Sequence, residues 1–243
     1  MKLDSKTALV TGGGSGIGRA AAESLAQEGC RVVIAGRGKE RLQEVVDAWS
    51  GPGNMAFRTA DVSQRADVQS LVEWSTRHLG RIDLLVHSAG INVAPRRMAD
   101  LDPDDWDQVL AVNATGAYNC LVAVLPQMRQ RRDGHIINIV SIAGKRASEL
   151  GGVAYNAAKF AQTALGLSTS LEHRDLGIRV TNVYPGEVDT PILDDRPVPV
   201  TDEHRARILK PQDFGHMVVW LASLPARVHV SELTIKPTTQ AYV

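Results

Sequence analysis

Three polar residues, Ser141, Tyr155 and Lys159, have types and spacings that suit acid–base chemistry. Tyr155 and Lys159 are four residues apart in an alanine-rich segment that predicts a helix, so both lie on one face, one turn apart. A free tyrosine holds its proton up to pH about 10, and a neighbouring ammonium lowers that pKa towards neutrality, which favours general acid–base catalysis. Ser141 ends an apolar run and could hydrogen-bond a substrate oxygen beside the phenol. Such a pair also occurs as ordinary helix decoration, so the interpretation depends on the rest of the chain.

The elements that must position these residues alternate between strands and helices. Apolar runs predict strands at 7–10, 31–36, 54–60, 82–86, 136–141, 178–184 and 232–236. The segments between them predict helices at 19–28, 39–49, 63–78, 104–132, 152–176 and 212–223. Repeated βα units without an internal boundary predict an α/β fold: one Rossmann-type domain over 1–243, with a doubly wound parallel sheet of about seven strands and helices on both faces. The proline-containing segment 186–211 predicts a substrate loop or lid.

A glycine-rich turn joins the first predicted strand to the first predicted helix. Its glycines let backbone N–H groups approach a pyrophosphate, and the helix N-terminus adds its positive dipole end. The spacing is G-x3-G-x-G rather than the G-x-G-x-x-G of other dinucleotide folds. The predicted cofactor contacts in this turn are Gly12, Gly14, Ser15, Gly16, Ile17 and Gly18.

The end of the second strand bears on the choice between NAD and NADP. An Asp or Glu there would bind the ribose 2′-hydroxyl of NAD, but the chain has Gly36 followed by Arg37. Arginine pairs with a phosphate in bidentate fashion, so this combination favours NADP, with NAD still possible. Ser15 adds no second cation within the glycine turn.

Two further strand ends and the long helix predicted over 104–132 supply polar candidates. Asp61 either faces the adenine of a cofactor, beside Val62, or stabilises the N-terminus of the next helix. His87 is either a proton shuttle or a hydrogen-bonded structural histidine, and Ser88, Ala89 and Gly90 after it form a turn that can pass close to a ribose. A buried Asn113 must satisfy its amide, and could do so by holding a water next to Lys159.

Charge and cysteine content exclude several classes of function. Lys+Arg and Asp+Glu are both 27, so the net charge is zero, which gives no electrostatic case for nucleic acid or an anionic membrane and leaves little repulsion against self-association. Cys30 and Cys120 lie in apolar surroundings and indicate buried hydrophobes rather than a metal site or a disulfide. The N-terminus lacks a signal core, so we expect a cytoplasmic protein.

Together these features resemble the short-chain dehydrogenase/reductase family over nearly the whole chain. The turn from Thr11 to Gly18 matches its cofactor turn, and the segment Pro185, Gly186, Val188 and Thr190 matches the part that contacts the nicotinamide end. Asn113, Ser141, Tyr155 and Lys159 match its catalytic tetrad in order and approximate spacing. The chain departs from the family's usual Asn-Asn-Ala-Gly, since it has His87-Ser88-Ala89-Gly90. Its C-terminus looks more like the branch that acts on 3-hydroxy acids and small carbonyl compounds than like acyl-carrier-protein reductases.

The resemblance implies an oxidoreductase in which the nicotinamide passes a hydride to or from a carbon while Tyr155 exchanges the proton on its oxygen. Ser141 would orient that oxygen, Lys159 would lower the tyrosine pKa and bind the ribose, and Asn113 would hold a proton-relay water. Family members are commonly dimers or tetramers built on the two long helices carrying Asn113 and Tyr155, so a homo-oligomer is expected.

The substrate pocket should lie at the strand carboxyl ends, where open α/β sheets bind ligands. Its predicted residues are Asn92, Ile142, Ala143, Lys145, Leu150 and Glu187. Lys145 and Arg146 either attract a substrate carboxylate or are solvated surface cations. We therefore predict an NADP-dependent carbonyl reductase or alcohol dehydrogenase with a small-molecule substrate. The alternatives are an NAD-preferring dehydrogenase of the same family, and a protein that binds the dinucleotide as a regulatory ligand.

Overall fold

The computed structural model describes residues 3–241, in which strands and helices alternate as predicted. The strands are β1 Thr7–Thr11, β2 Arg31–Gly36, β3 Met55–Thr59, β4 Leu84–His87, β5 Gly134–Ile139, β6 Ile178–Pro185 and β7 Glu232–Ile235. The α-helices are α1 Gly16–Gln27, α2 Lys39–Asp47, α3 Arg65–Leu79, α4 Pro103–Leu110, α5 Gly116–Arg131, α6 Val153–His173, α7 Asp202–Arg207 and α8 Pro211–Ser223. Their ends differ from the predicted ones by a few residues; α1 begins at Gly16, inside the glycine turn, rather than at Arg19.

The strands form one sheet in the order β3-β2-β1-β4-β5-β6-β7, and every neighbouring pair is parallel. The first strand, β1, lies in the middle of the sheet, with β2 and β3 on one side of it and β4 next to it on the other side. The direction in which strands are added is therefore reversed between β3 and β4. A reversal of this kind opens a crevice at the carboxyl ends of the two central strands, where ligands bind in doubly wound folds. The predicted seven-stranded Rossmann-type sheet is confirmed.

Two apolar layers cover the two faces of the sheet. Alternate residues of a strand point to opposite faces, so Val10 packs with α1 and α8 while Leu9 packs with α3 and α5. Both faces of the inner strands are buried, which explains why these strands read as continuous apolar runs. The sheet is therefore fixed between helices, and its carboxyl edge is a rigid base for side chains that follow the strands.

The long helix predicted over 104–132 is interrupted in its middle. Asp102 caps α4 by accepting a hydrogen bond from the Asp104 N–H, and a π-helical turn over Ala111–Thr115 separates α4 from α5. In that turn the Gly116 N–H bonds the carbonyl of Ala111, five residues back instead of four. Turns of this type occur often at functional sites, and this one contains Asn113.

The helical run Pro103–Arg131 is long and apolar enough to cross a membrane by length and composition alone. However, 56% of its most apolar window is buried inside the protein, where α5 packs against α3 and α6. This degree of burial is typical of a core helix.

The segment predicted as a loop over 186–211 contains local helical structure. A 3-10 turn covers Pro191–Leu193, and α7 covers Asp202–Arg207. Thr201 caps α7 because its hydroxyl accepts a hydrogen bond from the His204 N–H, and acidic residues start the helix while basic residues end it. These short-range signals escape a search for helical periodicity, because six residues are too few to show it.

Candidate active site

The predicted catalytic residues lie together at the carboxyl edge of the central strands. Ser141 comes two residues after the end of β5, and Tyr155 and Lys159 lie in the first two turns of α6, which packs against the turn that follows Ser141. The glycine turn follows β1, two strands away in the sheet. The crevice between β1 and β4 thus has the glycine turn on one side and the Tyr155 pair on the other.

The hydroxyl of Ser141 lies close enough to that of Tyr155 to lower the pKa of the phenol. Ser141 also accepts a hydrogen bond of 3.1 Å from the Ala143 N–H, which fixes its orientation. Burial raises the pKa of Tyr155 above its ordinary value, while the Ser141 hydroxyl and the charge of Arg96 act in the lowering direction. Burial has the larger effect, so the phenol keeps its proton at neutral pH.

In the protein without a ligand, the side chain of Lys159 is hydrogen-bonded to Gln162 and to the backbone. Its ammonium donates to Gln162 Oε1 at 2.7 Å and to the Ile139 carbonyl at 3.3 Å, and it lies 5.5 Å from the centre of the Tyr155 ring. Burial lowers the pKa of Lys159 to about 7. In this structure the contributions that lower the pKa of Tyr155 come from Ser141 and Arg96, and the lowering by Lys159 stays a prediction.

A buried chain of amides holds Lys159, and sequence analysis missed it. Gln162 donates to Asn138 Oδ1 at 2.6 Å, and Asn138 donates to Asn182 Oδ1 at 3.0 Å across the β5–β6 pair. Gly166 permits this approach, because a Cβ there would lie 2.1 Å from the Asn182 oxygen. A satisfied polar network in a low-dielectric interior is rigid, so it fixes the lysine. Its signal in the sequence is an asparagine in each of two apolar strands.

Asn113 satisfies its amide with bonds to the backbone of one residue. Its oxygen accepts from the Ile91 N–H at 2.8 Å, and its nitrogen donates to the Ile91 carbonyl at 2.8 Å. The water next to Lys159 stays a prediction. A Cβ on Gly90 would lie 3.2 Å from the Asn113 oxygen and 3.5 Å from Lys159 Nζ, so both side chains reach the same turn. Asn113 fixes the loop that follows β4.

Thr11 links the glycine turn to the turn after β4. Its hydroxyl accepts from the N–H groups of Ser88 and Ala89 at 3.2 and 3.3 Å, and it bonds His87 Nδ1 at 3.0 Å. Burial, followed by the charge of Lys159, lowers the pKa of His87 to about 3. The imidazole therefore stays neutral near pH 7, which fits the structural role predicted for His87 rather than that of a proton shuttle.

Two positions of the glycine turn require glycine, because a side chain there would collide with the protein backbone. Gly12 has φ +67°, and a Cβ on it would lie 2.8 Å from the Ser88 carbonyl oxygen. On Gly18 a Cβ would lie 2.3 Å from the Gly12 carbonyl oxygen, which requires glycine where α1 meets the turn. Ser15 at the start of α1 makes no side-chain cap and the first turn contains no acid, so the positive helix end stays available to an anion. These residues fit the pyrophosphate of a nicotinamide dinucleotide.

A cavity of about 260 Å³ is lined by eight of the predicted cofactor residues and by one cation that sequence analysis missed. The predicted residues that line it are Gly12, Gly14, Ser15, Arg37, Asp61, Val62, Ala89 and Gly90. Arg41, the missed cation, lies on α2 four residues beyond Arg37 and faces the same cavity. The other predicted cofactor residues lie outside its lining, namely Gly16, Ile17, Gly18, Ser88, Tyr155, Lys159, Pro185, Gly186, Val188 and Thr190. Asp61 lines the cavity and accepts two hydrogen bonds from Ser63 in the turn that enters α3, and its contact with adenine stays a prediction.

A second cavity, of about 140 Å³, contains the Ser141–Tyr155 pair. The other predicted residues that line it are Asn92, Ile142, Ala143, Leu150, Gly186, Glu187, Val188 and Thr190. The predicted substrate loop 186–211 also contributes Ile192, Leu193 and Arg196. Sequence analysis missed the remaining lining residues, which are Arg96, Ser148, Gly151 and Gln240. A larger cavity of about 1010 Å³ adjoins it and shares Arg96, Leu150 and Arg196 with it.

Lys145 does not line the catalytic cavity, so its assignment to the substrate pocket was wrong. Its ammonium pairs with Glu232 at 3.2 Å and lies 4.4 Å from the centre of the Tyr184 ring. The 3-10 turn after Ser141 carries Lys145 towards β7 instead of the crevice. The cations that do line the cavity come from other loops.

Ion pairs hold the segment 186–211 over the catalytic cavity. Glu187 pairs with Arg196 at 2.9 Å and with His204 at 2.8 Å. Burial alone would raise the pKa of Glu187, but the hydrogen bonds from His204 and Arg196 lower it below its ordinary value. Asp189 likewise pairs with Arg205 at 2.7 Å and with Lys210 at 2.8 Å. The segment is therefore tied to itself by charges at both ends.

Comparison with known proteins gives one family. The model of the short chain dehydrogenase family matches residues 6–198. An uncharacterized oxidoreductase of Staphylococcus epidermidis is 34% identical over 236 residues, which cover 97% of this chain and 99% of that protein. One of Staphylococcus aureus is 35% identical over 235 residues, covering 97% and 98%.

Solved structures agree with this comparison. An alcohol dehydrogenase from the archaeon Thermococcus sibiricus, complexed with 5-hydroxy-NADP, has a TM-score of 0.88 at 25% identity and covers 98% of this chain and 99% of its own. The closed form of a serine dehydrogenase complexed with NADP+ has a TM-score of 0.87 at 31% identity, covering 97% and 96%. The family model spans most of the chain, and the glycine turn fits the pyrophosphate of a dinucleotide. The chain therefore belongs to the short-chain dehydrogenase family and is an NAD(P)-dependent oxidoreductase.

Proposed function

We propose that the protein is an NADP-dependent carbonyl reductase or alcohol dehydrogenase that acts on a small substrate. The observation that carries the proposal is that Ser141 and Tyr155 line one cavity together, with Lys159 one helical turn beyond Tyr155 and close to the turn at Gly90. Its test is NADPH oxidation with a panel of 3-oxo acids, aldehydes and cyclic ketones, with NADH in parallel. Saturable NADPH binding without turnover of any of them would count against the proposal and favour a regulatory ligand.

The residues have separate roles in the proposed reaction. Ser141 donates a hydrogen bond to the substrate oxygen and holds it beside the phenol. Tyr155 gives its proton to that oxygen during reduction and takes it back during oxidation. Lys159, held by Gln162, contacts the ribose and compensates the charge of the phenolate, and Asn113 fixes the loop beside it through Ile91. When bound, the nicotinamide supplies or accepts the hydride.

The preference for NADP rests on two arginines. Arg37 and Arg41 both line the cavity beside Gly14, and Asp61 is the one acidic residue among its described lining residues. Asp61 is already engaged by Ser63, so the end of β2 presents cations to the adenosine ribose. A 2′-phosphate suits two guanidinium groups, whereas a bare 2′-hydroxyl gains little from them.

Removing these arginines should weaken NADPH binding selectively. We expect Arg37→Ala and Arg41→Ala each to raise the Kd for NADPH by about 10- to 100-fold, since a charged hydrogen bond contributes roughly 1.5–3 kcal/mol. The Kd for NADH should stay within about threefold, because NADH lacks the phosphate. Fluorescence titration of both nucleotides measures this, with Arg77→Ala on α3 as the matched control. Equal losses for both nucleotides would rule out a phosphate contact.

We also propose that the protein is a homo-oligomer built on α5 and α6. Large apolar side chains remain exposed on both helices, at Tyr118 and Val122 of α5 and at Phe160, Leu167 and Leu171 of α6. On α6 they repeat at 7 and 4 residues, so they form one stripe. An apolar stripe that is exposed on one subunit is usually covered by a partner subunit in a soluble oligomer.

Charges placed in this stripe should break the assembly. We expect light scattering to give a dimer or tetramer mass for the wild type and a monomer mass for Leu171→Asp combined with Phe160→Glu. Introduced carboxylates would have to be buried without partners in the interface. Met98→Asp, an exposed apolar residue outside the stripe, is the control. A monomeric wild type at micromolar concentration would contradict the proposal.

A further inference from the structure

Arg96 is a buried cation next to the catalytic pair. Only 7% of its surface is exposed, and it lines the 140 Å³ cavity together with Ser141 and Tyr155. Its charge is close enough to Tyr155 to lower the pKa of the phenol. The residue comes from the loop between β4 and α4, which no motif in the sequence marks as functional.

The guanidinium of Arg96 has neutral partners. Nε donates to the Val93 carbonyl at 2.9 Å, and the two terminal nitrogens donate to the carbonyls of Leu150 and Asp195, each at 2.7 Å. Within residues 3–241, no carboxylate lies within 4.0 Å of it. These three bonds use three of the five N–H groups, so each terminal nitrogen keeps one hydrogen for a ligand.

An unpaired cation in this position is unfavourable for the protein without a ligand. Buried charges in folded proteins are normally paired, because removing them from water costs several kcal/mol. Burial, and then the charge of Arg196, lower the pKa of Arg96, while the more distant carboxylate of Asp195 and the phenol of Tyr155 act in the raising direction. An arginine stays protonated at any physiological pH. The cavity therefore holds a permanent positive charge that an anion would satisfy.

The other charges in the cavity cancel each other. Glu187, the acidic residue among its described lining residues, is bonded to both Arg196 and His204. Arg196 is thereby neutralised, while Arg96 has no such partner. The cavity is thus cationic at the end formed by Arg96 and polar but uncharged at the end formed by Ser141 and Tyr155.

We propose that Arg96 binds the carboxylate of the substrate, which makes the substrate a short-chain hydroxy acid in oxidation or the corresponding oxo acid in reduction. The carboxylate lies against the two free N–H groups of Arg96, and the reacting oxygen lies between Ser141 and Tyr155. A volume of about 140 Å³ is that of about five water molecules, so the part of the substrate between the carboxylate and the reacting oxygen is short, while the adjoining cavity of about 1010 Å³ leaves room beyond Arg96. This inference rests on the proposed oxidoreductase function of the same cavity.

The competing explanation is that Arg96 only ties three loops together. Its bonds to Val93, Leu150 and Asp195 would then stabilise the cavity wall without recognising a substrate. A purely structural arginine would affect charged and uncharged substrates equally. The ratio of rates for an acid and its ester therefore separates the two explanations, and effects of Arg96 on the Tyr155 proton cancel in that ratio.

The experiment compares kcat/KM for 3-hydroxybutanoate, 3-hydroxypropanoate and 2-hydroxybutanoate with kcat/KM for their methyl esters, in the wild type, Arg96→Gln and Arg96→Lys. The wild type should prefer at least one acid over its ester by about 10- to 100-fold, as expected of a charged hydrogen-bonded pair. Arg96→Gln should remove the preference, and Arg96→Lys should keep part of it. Arg97→Gln, an exposed neighbour in the same loop, is the control and should keep the full preference.

Two results would overturn the inference. One is a wild type that turns over esters or neutral ketones, dependent on Tyr155, without preferring any acid; the reductase function would then stand and the role of Arg96 would not. The other is an Arg96→Gln variant that binds NADPH normally and keeps the acid preference. A readout without turnover is the titration of each acid into the NADPH complex by nucleotide fluorescence, where Arg96→Gln should raise the Kd by about 10- to 100-fold. Acid binding without turnover of any substrate would support the Arg96 site and count against the reductase.

Discussion

Replacing Tyr155 by Phe should lower kcat by about a thousandfold while the Kd for NADPH changes by less than about threefold, because a positioned acid–base group contributes 10²- to 10⁴-fold. The phenol ring is kept, so the packing of α6 and the cofactor site should survive. Ser141→Ala should have a smaller effect, since the proton donor remains and only the orientation of the substrate oxygen is lost. Single-turnover oxidation of bound NADPH measures both.

The pH dependence of the reaction provides a second check on Tyr155. Burial raises the pKa of its phenol, so the proton-donating form persists through neutral pH. Reduction should therefore be constant through neutrality and fall in alkaline solution, whereas oxidation should rise with pH as the phenolate forms. Tyr118→Phe, on the exposed face of α5, is the control and should change neither profile. Normal turnover by Tyr155→Phe would exclude this residue as the acid.

Replacing Lys159 by Met should abolish most activity and at the same time stabilise the protein. The pKa of Lys159 lies at about 7 instead of 10.5, which corresponds to roughly 5 kcal/mol of unfavourable burial of the charged form. The variant leaves the Gln162 oxygen without its donor, which costs about 1–3 kcal/mol. We therefore expect about 2 kcal/mol more unfolding free energy for the variant at pH 6 without nucleotide, and a kcat lower by at least a hundredfold.

The sign of the pH effect distinguishes this mechanism from a general gain in packing. Between pH 10.5 and about 7 the unfolded chain holds a proton on Lys159 that the folded chain does not, so this residue destabilises the wild type increasingly as the pH falls. Below about pH 7 the penalty is complete, and above pH 10.5 it is absent. Denaturant unfolding at pH 6 and at pH 9.5 should thus show a smaller advantage of Lys159→Met at the higher pH. Lys39→Met, on an exposed helix end, should show no such difference.

The fold and the positions of the main catalytic residues along the chain could be predicted from the sequence, because both depend on short stretches of chain. The inner strands are continuous apolar runs, and the positive φ of Gly12 and Gly16 is a local property of the backbone that favours glycine. The four-residue spacing of Tyr155 and Lys159 fixes their common helix face without reference to any other element. The end of β2 has no acid, and this also is visible in the local sequence around Arg37.

The side chains that line the site are set by contacts between segments that are distant in the sequence. Arg96 reaches Tyr155 only because its loop packs against residues 150 and 195, and Lys145, which the sequence favoured, turns away to Glu232. Gln162 meets Asn138 across 24 positions of sequence. By itself the sequence determined where strands, turns and the catalytic helix lie, since periodicity and backbone sterics act locally. Which charges face the substrate was decided only by tertiary packing, because burial and pairing are properties of the assembled loops.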